Sequence, residues 1–173
     1  RVVPVSTVTI IDDGEPGFSA TTGWRNWGKN GGHDGNYLYI GGGSGTQVAS
    51  WTFSNLDVAE YGVWATWRTA RSRPLDAPYS IFDDDKLLET IAVNQRVNPD
   101  VQLTEDTFWE KLGDVDIVDG TLKVELTNKT SSSWVIADAI RIEKLSDITP
   151  APEISVSNSL TGTVADAGTF HFG

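Results

Sequence analysis

The stretch Trp51-Thr-Phe-Ser-Asn-Leu-Asp-Val-Ala-Glu-Tyr-Gly-Val-Trp-Ala-Thr-Trp67 decides the fold. Its second half places Tyr61, Val63, Ala65 and Trp67 on one face and Gly62, Trp64, Thr66 and Arg68 on the other, the period of two that a strand requires. Its first half reads as another strand, joined to the second by a short polar connection. A matching run, Trp134-Val-Ile-Ala-Asp-Ala-Ile-Arg-Ile-Glu143, closes the core. There Trp134, Ile136, Asp138, Ile140 and Ile142 share one face, and Val135, Ala137, Ala139 and Arg141 the other. Both faces are largely apolar, which predicts one continuous strand inside a sheet.

Outward from these runs, the same signals predict strands at Thr7–Ile11, Thr46–Phe53, Tyr79–Phe82, Lys86–Val93, Phe108–Leu112, Val115–Ile117 and Thr121–Thr127. Asp83-Asp84-Asp85 and Asp119-Gly120 read as hairpin turns. Residues 21–45 are rich in Gly, Asn and Ser and carry Trp24, Trp27, His33, Tyr37 and Tyr39. They read as a long exposed loop ending in a short strand at Tyr37–Ile40, and a loop of that length with aromatics in it points to function. No helical stripe interrupts the series, so the fold class is all-β, an antiparallel sandwich or barrel. Residues 1–6 read as a linker, 7–145 as the β-domain, and 146–173 as a linker followed by the first hairpin of a further β-domain.

Charge and composition narrow the function. The net charge of -11 opposes a phosphate backbone or an anionic membrane surface over a Debye length of about 8 Å. No apolar run approaches the roughly 20 residues of a membrane span. These features exclude nucleic acid and membrane as expected partners. Cysteine is absent, which removes disulfides, thiolate metal sites and thiol nucleophiles. Methionine is absent too, so residue 1 reads as an internal position with any signal peptide upstream. Catalytic sets are sparse: His33 and His171 are the only histidines, and no nucleophile-elbow pattern occurs. The expectation is a protein that is not an enzyme.

Seven motifs then carry a resemblance. Ile10-Ile-Asp-Asp-Gly-Glu-Pro-Gly-Phe18, Ser50-Trp-Thr-Phe53, Tyr61-Gly-Val-Trp-Ala-Thr-Trp67, Arg73-Pro-Leu-Asp-Ala-Pro-Tyr79, Val93-Asn-Gln95, Trp109-Glu-Lys-Leu-Gly113 and Val135-Ile-Ala-Asp-Ala-Ile-Arg-Ile-Glu143 resemble the golvesin and xanthan-lyase carbohydrate-binding-like domain over residues 8–143. The resemblance implies a jelly-roll β-sandwich similar to galactose-binding-like modules, appended to secreted or cell-surface bacterial proteins. The tail is similar to the start of an immunoglobulin-like surface repeat. A structural calcium between the first and last strands is also implied, with Asp12, Asp13 and Asp138 as candidate ligands. The alternative is that Asp138 accepts hydrogen bonds from backbone, hydroxyl or indole groups while Asp12 and Asp13 stabilise a turn.

By the same resemblance, the binding cleft lies among loops at one end of the sandwich. That brings Trp24, Trp27, Tyr37 and Trp67 towards Arg68, Arg71, Arg73 and Asn128 as ligand-binding candidates. Guanidinium forks favour an acidic sugar such as a uronate or pyruvylated residue. The partner implied is a polysaccharide, alongside neighbouring domains of the same chain. The competing expectation is a structural or adhesive spacer whose tryptophans cover the core and whose arginines pair with the excess carboxylates.

Overall fold

The computed structural model describes residues 7–28, 31–131 and 133–149. The expected N-terminal linker and most of the expected C-terminal linker and hairpin lie outside them. In chain order the strands are β1 (Val8–Ile11), β2 (Phe18–Ala20), β3 (Arg25–Asn26), β4 (Leu38–Gly41), β5 (Val48–Ser54), β6 (Ala59–Ala65) and β7 (Ala77–Asp83). There follow β8 (Lys86–Val93), β9 (Val101–Gln102), β10 (Phe108–Ile117), β11 (Thr121–Thr127), β12 (Trp134–Ala137) and β13 (Ile140–Asp147). A 3-10 turn at His33–Gly35 is the helical element among the described residues.

Two five-stranded sheets, β1-β13-β6-β10-β9 and β2-β5-β11-β7-β8, face each other, and a three-stranded sheet, β12-β4-β3, adjoins them. Every strand pair within these sheets is antiparallel. The arrangement is a jelly-roll β-sandwich. Alternation along β5 and β11 sends Ala49, Trp51, Phe53, Leu122, Val124 and Leu126 into the interior, where they join Tyr61, Val63, Ala65, Ile140 and Ile142 from the other sheet. Burying an aromatic removes about 150–250 Å² from water, so Trp51, Phe53, Tyr61 and Tyr79 supply much of the drive to close the sheets.

Four expectations are corrected. The two short strands expected at Phe108–Leu112 and Val115–Ile117 are one, β10, whose pairing with β6 shifts register between Lys111 and Gly113. The closing run is not one strand: β12 pairs with β4, whereas β13 pairs with β1 and β6, and the chain turns a corner at Asp138 and Ala139. Trp51 Nε1 donates to the Asp138 carbonyl oxygen at 3.1 Å, tying that corner to the core. Asp119-Gly120 turns the chain, but β10 and β11 belong to opposite sheets, so the turn crosses the sandwich and makes no hairpin. The 21–45 segment contributes β3 and β4 to the third sheet rather than forming a loop with one strand. The turn at Asp84 and Asp85 does join a paired hairpin, β7 to β8, with Asp84 at φ 50.

Register fixes which loops share a pole. Ile11, Ile140, Ala65 and Glu110 lie side by side across four strands. Asp12, Asp138, Trp67 and Phe108 therefore emerge together. In the other sheet Ala20, Ala49 and the Val48–Thr127 pair stand near one end, as do Ala77 and Val93. The long segments 21–47, 66–76, 94–107 and 128–139 thus gather at one pole. The opposite pole has the short connections 55–58, 84–85 and 118–120, with the start of β1 and the end of β13.

Candidate functional site

Two groups of side chains converge at the long-loop pole. The first is acidic. Asp12 follows β1, Asp138 occupies the corner before β13, and one carboxylate oxygen from each of Asp12, Asp13 and Asp138 lies within 4.8 Å of the others. All three residues are buried. The Asp138 carboxylate accepts the His33 N–H at 2.9 and 3.2 Å, Asp12 Oδ1 accepts the Asp13 N–H at 2.9 Å, and Asp13 Oδ2 accepts Asn36 Nδ2 at 2.9 Å. Asp13 Oδ1 is buried without a partner. Among the described residues no lysine or arginine forms an ion pair with any of the three.

Uncompensated burial has the expected electrostatic consequence. Desolvation pushes Asp12 up to about 7 and Asp13 up to about 6, with the neighbouring carboxylates adding to the rise in Asp12. It also holds Asp138 well above the usual carboxylate range, opposed in part by the His33 N–H. An all-oxygen donor set with an orphaned buried oxygen and no counter-charge fits a hard cation, which takes oxygens from carboxylates and carbonyls. The segment 31–36 closes over this group. Gly32 lies at φ +79, and a Cβ there would collide with the Asn36 carbonyl oxygen and stand 2.8 Å from Asp138 Oδ2, so only glycine fits.

The second group is aromatic. On β4 and its neighbours, Arg25 pairs with Tyr39, Tyr39 with Ile136, and Gly41 with Trp134, which puts these side chains on one face of the third sheet. Trp27 stacks on Tyr37 with centroids 6.4 Å apart and planes 13° from parallel, and meets Tyr39 edge-on at 5.9 Å. Tyr39 in turn meets Trp134 edge-on at 5.5 Å. Trp27 is 49% exposed and Trp134 44%, so the row Trp27, Tyr39, Trp134 presents indoles at both ends.

The loop between β6 and β7, which carries Arg68, Arg71 and Arg73, borders this row. Arg73 Nη2 donates to the Tyr37 hydroxyl at 3.4 Å, its guanidinium carbon lies 5.9 Å from the Tyr37 ring centre, and its Nε donates to the Arg68 carbonyl. A Cβ on Gly31 would touch Tyr37 Cε1 at 3.4 Å and Arg68 Cδ at 3.5 Å, which sets Arg68 beside Tyr37. The Trp134 N–H donates to the Ser72 carbonyl at 2.9 Å. Trp27, Tyr37, Arg68 and Arg73 therefore come together.

The other candidates are placed differently. Trp24 is half-buried against the core. Tyr37 and Trp67 are buried, so Tyr37 supports Trp27 from beneath, and Trp67 is pinned by its Nε1 to the Val97 carbonyl at 3.1 Å. Arg71 is exposed. Asn128 is buried, with Oδ1 accepting from the N–H groups of Gly45 and Gln47 and Nδ2 donating to the Gly41 carbonyl. Its side chain is spent on holding the chain beside β4. Tyr39 and Trp134 complete the row, and the period-two pattern of Tyr37 and Tyr39 was the available sign for the former. His33 has its Nδ1 3.1 Å from Thr107 Oγ1 and its ring 5.5 Å from Trp109.

Comparison with known proteins adds three findings. The sequence profile described as the Golvesin C-terminal domain matches residues 9–144. No curated protein matches. Among solved structures the chain is similar to a Paenibacillus xanthan lyase, with TM-score 0.69 and 22% identity over 80% of this chain and 13% of the lyase. It is also similar to a family 35 carbohydrate-binding module from an environmental isolate, with TM-score 0.54 and 15% identity over 82% of this chain and 99% of the module. The family 35 module of Cellvibrio japonicus Abf62 gives 0.56 and 13% over 79% and 92%. At these identities the likeness is one of fold. The chain spans a small part of the lyase and nearly the full length of both modules.

Proposed function

This chain belongs to the Golvesin C-terminal domain family, and from that premise we propose that it is a noncatalytic carbohydrate-binding module of a secreted or cell-surface protein. The observation that supports this reading is the row Trp27, Tyr39, Trp134 with Arg68 and Arg73 at its edge. An exposed ring stacks on the C–H face of a pyranose, and a row of them suits a chain of sugars better than a single one. The guanidinium of Arg68 favours a polymer bearing carboxylates. Among the described residues no helix is long and apolar enough to cross a membrane.

The test is calorimetric titration with xanthan, a linear polyuronate and a neutral glucan. Replacing Trp27 or Trp134 by alanine is expected to weaken binding about 10-fold each, the loss of roughly 1.4 kcal/mol of contact. Both rings are half in solvent, so the melting temperature should stay within a degree or two. Absence of binding to every polymer would leave the spacer reading in its place.

Asp12, Asp13 and Asp138 are proposed in addition to hold a hard cation such as Ca²⁺. Bound there, it would neutralise the buried charge and keep the 31–36 segment seated through Asp138 and Asn36. That segment leads directly into Tyr37, the ring under Trp27. Chelator is therefore expected to lower polysaccharide affinity as well as stability, read by titrating the same polymer with and without calcium.

A further inference from the structure

We propose that the cleft beside the aromatic row is a second subsite, which takes one carboxylate-bearing sugar residue. The inference rests on reading this pole as a carbohydrate surface, and it names what a separate part of that surface selects. The cleft is open to solvent on one side and offers about 340 Å³ between the end of β6, the segment after β8 and the approach to β10. That is the small end of the range for ligand pockets, about 300–1,000 Å³, and suits a single residue rather than a chain.

Its lining combines groups that few ligands satisfy at once. Trp67 forms a fixed wall, and Phe108 offers a ring that is 48% exposed. Asn98, Asp106 and Arg68 supply an amide, a carboxylate and a guanidinium. Arg68 and Asp106 form no ion pair with each other or with any described residue. A compact dianion such as sulfate would meet Asp106 and be repelled, and a neutral sugar would leave the Arg68 fork unused. A sugar acid fits each group: its carboxylate on Arg68, its hydroxyls on Asp106 and Asn98, its C–H face on Phe108. Because Arg68 also stands beside Tyr37, a polymer on the row can deliver such a residue into the cleft.

The residue can come from a side branch or from a chain end, and stoichiometry separates the two. Titration with methyl glucuronide and methyl glucoside tests the subsite directly. The acid is expected to bind at least 10-fold more tightly than the neutral glycoside, unaffected by millimolar sulfate. Arg68→Ala and Phe108→Ala should each weaken the acid about 10-fold, while Trp27→Ala and Trp134→Ala leave it within 2-fold. With acidic polymers, many equivalents bound per chain indicate branches and one indicates the end. Equal affinity for the two glycosides, or insensitivity to Phe108→Ala, would overturn the subsite even if the Trp27 and Trp134 variants still weaken polymer binding. Failure of those two variants alone would remove the row and leave the cleft standing.

Discussion

Replacing Gln95 by alanine is expected to cost about 3–5 kcal/mol of unfolding free energy, through two buried backbone groups left unpaired and a cavity. Gln95 is fully buried, with Oε1 accepting the Ile136 N–H at 2.9 Å and Nε2 donating to the Ile136 carbonyl at 2.8 Å and to the Tyr79 hydroxyl at 3.3 Å. It stands in for the strand that β12 lacks: β4 pairs with one edge, and this amide takes the middle of the other. An unpaired buried N–H or carbonyl costs about 1–3 kcal/mol, and Ile136 would have one of each. At about 2–4 °C per kcal/mol for a chain of this size, the melting midpoint should fall on the order of 10 °C. Urea denaturation gives the free energy, and a loss under about 1 kcal/mol would show that water replaces the amide. Because β12 carries Trp134, the variant should also lose polymer affinity.

The second large effect concerns the acidic group, and its sign is fixed. For Asp12, at about 7 when folded, and Asp13, at about 6, the folded pKa lies above the unfolded value near 3.8. The folded state then binds more protons, so their favourable contribution is complete below about 4 and is lost as pH rises through about 6 and 7. In chelator the melting temperature should therefore decline across that window, opposite to the trend of an ion-paired carboxylate. A cation replaces the protons. In calcium at 100 times its Kd the protein should gain about 2.7 kcal/mol at neutral pH and the decline should flatten. Asp13→Asn, which removes one buried charge, should raise stability in chelator at pH 7.5 and blunt the response to calcium. Coincident melting curves in calcium and chelator from pH 5 to 8 would remove the cation.

How much of this the sequence displays depends on the range of the interactions. The alternation of β5 and β6 is local and reads directly, as does the turn between β7 and β8. The corner at Asp138 is hidden because the run from Trp134 to Glu143 is apolar on both faces and alternates without a break. The one discordant sign is the carboxylate among isoleucines, which marked Asp138 for a partner without revealing that the chain bends there. Strands β2, β3 and β9, of two or three residues, are too short to carry a period. Likewise the turn at Asp119-Gly120 is legible, whereas the sheet each flanking strand joins is set by contacts far along the chain.

The site divides the same way. Asp12 and Asp13 stand next to a strand end and Asp138 shares a face with isoleucines, but that the three meet was implied only by the family resemblance; it is the long-range pairing of β1 with β13 that brings them together. Exposure of individual rings is no more legible: Trp27 and Tyr37 stack on each other, yet one is half in solvent and the other buried. Asn128 looks like a loop amide available to a ligand, and its partners at Gly41, Gly45 and Gln47 are more than eighty positions away.

The central claim is that the exposed row on the third sheet meets the sugar. Its most direct test is to record the tryptophan indole N–H resonances during titration with an acidic oligosaccharide, assigning Trp27 and Trp134 through phenylalanine variants. The account predicts that these two signals move together with the added sugar while those of Trp51 and Trp109, buried in the core and beneath His33, stay in place. Binding detected by calorimetry with both Trp27 and Trp134 signals unmoved would contradict it.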